Sequence, residues 1–192
     1  TLRRVHIMDL STTYLGLTLA HPFITGASPL VDDLDMVRRL EDAGAAAITM
    51  HSLFEEQITA ERDATWWHLD THEDGHAEAT TYFPKSDEYR LGPDKYLEQI
   101  RRIKQSVGVP VIASLNGTTG RGWVEYAQAM QQAGADAIEL NVYMVATDPA
   151  VPGSIIDQKV VDAAHLVRSA VSIPVAVKLS PFFSSIAHLA HR

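Results

Sequence analysis

Two short segments each occur twice in this chain, and their order constrains the fold more than any single residue does. Ala43-Gly44-Ala45-Ala46-Ala47-Ile48 and Ala133-Gly134-Ala135-Asp136-Ala137-Ile138 both follow amphipathic stretches, with Gly where a helix ends in a left-handed residue. Val109-Pro110-Val111-Ile112-Ala113 and Ile173-Pro174-Val175-Ala176-Val177 place Pro at a strand's first residue, where its missing N–H does least harm, ahead of a buried apolar run. Between them lie apolar residues at helical spacing. Leu34, Val37 and Leu40 follow Asp32 and Asp33; Leu97, Ile100, Ile103 and Val107 follow Pro93 and Asp94. Val124, Ala127, Met130 and then Val160, Ala163, Val167, Val171 repeat the pattern. Strands are expected near 22–26, 46–50, 110–115, 136–140 and 174–179, each followed by a helix. Short apolar strands alternating with helices mean a parallel sheet covered by helices.

An open doubly wound sheet and a closed α/β barrel share that alternation. No G-x-G-x-x-G follows a strand; Gly117, Gly120 and Gly122 have another spacing and lie past the third strand. The reading favours a TIM (β/α)8-type barrel, of which only about the first five β/α units are present. A complete one takes about 250 residues, against 192 here. Ile186, Leu189 and Ala190 begin a further amphipathic helix near the last residue, so 8–192 reads as the N-terminal part of a single barrel, with 1–7 an upstream extension. Residues 51–92 exceed the usual βα connection of about two to six residues and read as a lid-like insertion. It contains a short helix between Leu53 and Leu69, whose Trp66 and Trp67 pack the lid onto the body. His68, His72 and His76 would share a helical face and could ligate a metal, but Thr71, Asp74 and Gly75 interrupt such a helix; no metal is expected.

Charge narrows the partners. Sixteen Lys+Arg against 24 Asp+Glu leave a formal net charge of −8, with no basic block to displace counterions, so nucleic acid is a poor partner. No apolar run approaches the roughly 18 residues that span a bilayer, and the N-terminus lacks a signal-peptide pattern; a cytoplasmic protein is expected. Cysteine is absent, which removes disulfides, thiolate metal sites and Cys bases together.

In α/β barrels the chemistry sits at the C-terminal ends of strands. Here those ends are polar: Gly26-Ala27-Ser28, His51-Ser52, Ser114-Leu115-Asn116-Gly117, Glu139-Leu140-Asn141 and Lys178-Leu179-Ser180-Pro181. Lys178 follows Val175-Ala176-Val177 without a loop, so its stem belongs inside the barrel mouth and its ammonium needs a counter-charge. A phosphate, a carboxylate substrate, an electron-rich cofactor ring or Glu139 could supply it. Asn116 and Asn141 offer both donor and acceptor, which suits the amide-like edges of a flavin or pyrimidine.

At these residues the chain resembles the dihydroorotate dehydrogenase family of flavin-dependent barrels, in particular a bacterial branch described only as dihydroorotate dehydrogenase-like. The resemblance runs nearly end to end. Met8 to Leu17 is similar to that branch's start, Pro22 to Pro29 to its first-strand motif and Ile112 to Gly117 to its third. Glu139-Leu140-Asn141 resembles the fourth, and Val177-Lys178-Leu179-Ser180-Pro181-Phe182-Phe183 the fifth. The resemblance implies FMN in the barrel mouth with the substrate stacked on it, and a small-molecule dihydropyrimidine or related cyclic amide as substrate, in pyrimidine biosynthesis. It implies flavin contacts at Ala27, Ser28, Ser52, Asn141 and Lys178, with Asn116 beside them. Asn141 would lie between flavin and substrate, and Lys178 would stabilise negative charge on the reduced ring. His51 stands where relatives often carry a substrate-side Lys.

The general base departs from the family. Relatives place Cys or Ser behind the Asn, where this chain reads Asn141-Val142-Tyr143-Met144-Val145-Ala146-Thr147-Asp148-Pro149; Tyr143 and Thr147 are the substitutes on offer. The family's phosphate-binding glycine loops follow strands seven and eight, so this chain by itself is expected to bind FMN poorly and to be inactive. The family also suggests a homodimer. Two other readings stand beside this one: a Schiff-base lyase or aldolase using Lys178, and a non-catalytic ligand-binding barrel.

Overall fold

Gly44 and Gly134 adopt φ of 95° and 100°, so both copies of the first repeated segment end a helix in the left-handed turn their sequence requires. The computed structural model describes residues 8–54, 93–117, 120–142 and 146–192. The extension at 1–7, the insertion from 55 to 92 with its Trp and His residues, and Tyr143 and Met144 lie outside the described residues.

An antiparallel hairpin, β1 (Thr12–Tyr14) and β2 (Leu17–Leu19), leads to a 3-10 turn (Pro29–Asp32) and α1 (Leu34–Asp42). Then follow β3 (Ile48–Phe54), α2 (Pro93–Ser106), β4 (Val111–Asn116), α3 (Gly120–Gln132) and β5 (Ala137–Asn141). The chain closes with α4 (Gly153–Ala170), β6 (Val175–Lys178) and α5 (Ile186–His191). The capping signals act as read: the Asp33 carboxylate accepts the Asp35 N–H at 2.9 Å to start α1.

The four long strands form one parallel sheet in the order β3-β4-β5-β6. That order decides between the two architectures. A doubly wound sheet reverses its strand order at a switch point and distributes helices over both faces. Here the order never reverses, and α2, α3 and α4 share one core with one face of the sheet. Val111, Ala113, Leu115, Ile138 and Leu140 from the strands meet Tyr96, Ile100, Ile103, Ala127, Met130, Val160 and Val167 from the helices. This is the β/α-barrel arrangement, with a helical outer layer and an inner face.

The inner face is graded. At the N-terminal end Ala47, Ile112 and Ala137 form a small apolar cluster with Ala46 and with Leu19 of the hairpin, which therefore plugs that end. The hairpin was not expected from the sequence. It turns through Leu15 and Gly16, both at positive φ (54° and 74°), the mirror-image turn that matches strand twist. Towards the C-terminal end the same face carries Ser52, Ser114, Asn116, Glu139, Asn141 and Lys178.

Two expected boundaries change. Segment 22–26 is not a ladder strand; it runs beside β3 through two backbone bonds, Ala46 N–H to Phe23 O (2.9 Å) and Thr25 N–H to Ala47 O (3.1 Å). Pro22 has no N–H to donate, and the next ladder donor, Thr49 N–H, goes to the Thr25 hydroxyl at 2.9 Å. The second strand, expected at 46–50, runs from Ile48 to Phe54, so His51 and Ser52 belong to β3 and not to the insertion.

Candidate active site at the C-terminal end of the sheet

Ser114 stands in the middle of an apolar strand and is fully buried, a position that a hydroxyl occupies only with partners. Its Oγ lies 2.9 Å from Ser52 Oγ, accepts from Asn141 Nδ2 at 2.8 Å and donates to Glu139 Oε1 at 3.3 Å. Asn141 Nδ2 also reaches Ser52 Oγ at 3.2 Å. Lys178 Nζ donates to the same Glu139 oxygen at 2.8 Å. The donors and acceptors form one directed network. Asn141 gives to both serines, Ser52 gives to Ser114, Ser114 and Lys178 give to the Glu139 carboxylate, and the carboxylate only accepts.

The register builds this network. Asn116 pairs with Asn141 and Asn141 with Lys178, so the expected strand-end residues share one row on one face. Asn141 is buried, and its Oδ1 has no hydrogen-bond partner among the described residues. An orphaned buried acceptor next to pinned donors asks for an N–H from a ligand. Asn116 is partly exposed and makes no side-chain hydrogen bond among the described residues. Lys178 keeps part of its side chain in solvent, and among the described residues Glu139 uses one of its three donors. Of the counter-charges open to Lys178 in the sequence, the structure shows Glu139.

The other expected residues fall elsewhere. Ser28 Oγ accepts the Leu30 N–H at 3.2 Å and caps the 3-10 turn. Ala27 and Ser28 border a cavity of about 340 Å³ with Thr25, Gly26 and Leu30, and none of the Ser52 to Lys178 cluster lines it. Thr147 is exposed. His51 does not join the cluster: its Nδ1 lies 2.9 Å from Asp32 Oδ1 and its ring stands edge-on to Tyr96. Burial pushes His51 down and Asp32 up from their ordinary values, each partly offset by the other's charge. Ser114, Glu139 as the network's terminus, Asp32 and Tyr96 are contributors that sequence reasoning left out of the site. A hydroxyl inside Val111-Ile112-Ala113-Ser114-Leu115 was the available signal for the first.

A catalytic subunit of dihydroorotate dehydrogenase B (NAD(+)) from Thermoplasma acidophilum is 28% identical over 95% of this chain and 58% of its own length. The corresponding subunit from Methanocella arvoryzae is 31% identical over 86% and 52%. A subunit of NAD-dependent dihydropyrimidine dehydrogenase from Escherichia coli is 27% identical over 90% and 42%. In sequence the chain resembles catalytic subunits of dihydroorotate dehydrogenase. The chain spans about half the length of the curated relatives it matches. No family profile matches it. Among solved structures, a dihydrodipicolinate synthase from Cyanidioschyzon merolae with lysine bound superposes with a TM-score of 0.50 at 16% identity, over 84% of this chain and 45% of that one, which supports the barrel fold alone. The relatives matched are dehydrogenase subunits.

Proposed function

We propose that this chain carries the substrate side of an FMN-dependent oxidoreductase that oxidises dihydroorotate or a related cyclic amide. The observation that carries the reading is the row Asn116, Asn141, Lys178 over the Ser52–Ser114 pair, with the Asn141 carboxamide oxygen buried and unpartnered among the described residues. These residues fit a flavin. An imide-like edge supplies the N–H that Asn141 Oδ1 lacks and accepts from Asn116 and from the Lys178 donors that Glu139 does not use. When bound, FMN supplies a two-electron acceptor beside the substrate.

The chain's own contributions are orientation and charge. The two serines fix the Asn141 amide so that its oxygen faces a ligand, and the pairing of Lys178 with Glu139 holds a cation at the mouth. A cation so placed stabilises negative charge that develops on a neighbouring ring. The general base belongs to the loop behind Asn141, where Tyr143 and Thr147 are the available groups. The Schiff-base alternative needs an amine free to attack a carbonyl, and Lys178 is engaged with Glu139 at 2.8 Å. A cytoplasmic homodimer acting in pyrimidine biosynthesis completes the proposal.

The test is a visible absorption spectrum of the purified protein after incubation with FMN, run on this chain and on a version extended by further β/α units. Flavin bands retained through gel filtration in either support the reading. Their absence from both overturns it.

A further inference from the structure

Strand β3 changes register within the site. Thr49 pairs with Ile112 and Ser52 pairs with Ser114, so Met50 and His51 together oppose the single residue Ala113. This is a β-bulge, and its effect on side chains is large because strand faces alternate with period two. Regular alternation from Thr49 would put His51, not Ser52, opposite Ser114. The bulge reverses that choice. It sends Met50, fully buried, and His51 to the helical layer and brings the Ser52 hydroxyl within 2.9 Å of Ser114 Oγ.

A bulge also breaks the ladder and leaves backbone groups without strand partners. Here a side chain from another element meets them. Tyr96, in the first turn of α2, is fully buried, and its hydroxyl accepts the Ser114 N–H at 3.0 Å. The same hydroxyl has two carbonyl acceptors in reach, His51 O at 2.9 Å and Ser114 O at 3.1 Å. One phenol thus joins β3 to β4 where the two strands fall out of step. Its surroundings fix it in turn. The ring meets His51 edge-on with centroids 5.2 Å apart, and one turn later on α2 Gln99 Nε2 donates to Val31 O (2.8 Å) and Asp32 O (3.1 Å).

We propose that Tyr96 is a positioning residue for the site, its buried hydroxyl holding the β3 bulge so that Ser52 rather than His51 stands on the inner face beside Ser114 and Asn141. The inference rests on the reading of that face as a flavin site, and deepens it by assigning its geometry to a residue of the helical layer that touches no ligand.

The test is Tyr96→Phe, which keeps the ring and removes only the hydroxyl, combined with Ser52→Ala in a double-mutant cycle. FMN affinity is read by titration of flavin fluorescence on whichever form of the protein, this chain or the extended one, binds it. Tyr96→Phe is expected to weaken binding about tenfold or more and to alter the visible circular dichroism of the bound flavin. In the Ser52→Ala background the same change is expected to cost nothing further, because Tyr96 acts through Ser52. A merely structural tyrosine gives equal losses in both backgrounds. Gln131→Ala, which loosens a loop at the opposite end of the sheet, lowers melting without moving FMN affinity and controls for destabilisation. Unchanged affinity in Tyr96→Phe, or a full effect without Ser52, overturns the proposal. Should the wild type bind no flavin in any form, the functional reading fails, and a crystal structure of Tyr96→Phe decides the positioning claim alone: the claim stands if Ser52 leaves the Ser114 row and falls if it stays.

Discussion

At the scale of single residues, the pair His51 and Asp32 is the most informative group outside the hydrogen-bonded cluster. Both are largely withdrawn from solvent, and burial lowers His51 from its ordinary 6.5 while raising Asp32 from 3.8. The signs give opposite dependences. As the pH falls through about 6.5, the unfolded chain takes up a proton on His51 that the folded chain resists, so folding stability declines. Asp32 acts the other way, binding its proton more readily when folded and returning stability nearer the carboxylate range. Asp32 and the Tyr96 phenol face His51 from the 3-10 turn and from α2. Melting temperature measured between pH 8 and 5.5 is therefore expected to fall more steeply for the wild type than for His51→Gln. Equal slopes would remove His51 from the acid sensitivity. The resemblance put His51 at a substrate-side position; in the structure the bulge turns it toward Asp32 and Tyr96.

At the scale of elements, the helices and strands are held in register by polar side chains at the N-terminal end of the sheet, opposite the site. Asp136, just before β5, accepts the Val111 N–H at 2.7 Å and the Lys104 ammonium at 2.7 Å, while its own N–H donates back to Val111 O at 2.8 Å. Glu41 Oε1 takes the Gly108 N–H ahead of β4, and Gln131 Oε1 takes the N–H groups of Ser172 and Ile173 ahead of β6. Asp136→Ala leaves the buried Val111 N–H without its carboxylate and is expected to cost about 1.5–3 kcal/mol, with Asp136→Asn in between. Thermal denaturation checks it; a loss no larger than that of an exposed substitution such as Glu98→Ala would show that the strand finds another acceptor. These elements were largely legible in advance. Helices with spaced apolar residues and Gly stops, and strands opened by Pro, came out within about two residues for β4, β5 and β6, because each signal is local. The hairpin and the irregular path of 22–26 were not, since Leu15 at positive φ and the Thr25 hydroxyl bond depend on contacts far along the chain. The site was legible as a set of strand ends and illegible as a network. Asn141 and Lys178 stand where the alternation put them, whereas the Ser52 to Ser114 contact exists only because of a bulge held by a helix residue 44 positions away.

At the scale of the whole molecule, the inner face divides labour along its length, with apolar packing at one end and hydrogen-bonding chemistry at the other. The hairpin makes that division physical. Leu19, 2% exposed, fits against Ala46, Ala47, Ile112 and Ala137, four side chains of which three are alanines, with Leu15 and Leu17 partly buried beside them. Truncating it leaves a cavity that small rigid neighbours cannot close, and Leu19→Ala is expected to destabilise by about 2–5 kcal/mol. The loss belongs to one end only. Ile112 and Ala137 each stand one inner-face position below Ser114 and Glu139, and the Asn141 row lies a further position away. Substitutions more than about 7–10 Å apart that share no partner act nearly independently. Leu19→Ala that remains folded is accordingly expected to keep the wild-type affinity for FMN in the titration that reports on Tyr96, despite a clear fall in denaturation midpoint. An affinity that fell in step with stability would show that the hairpin sets the geometry of the opposite end, and that the graded inner face acts as a single unit.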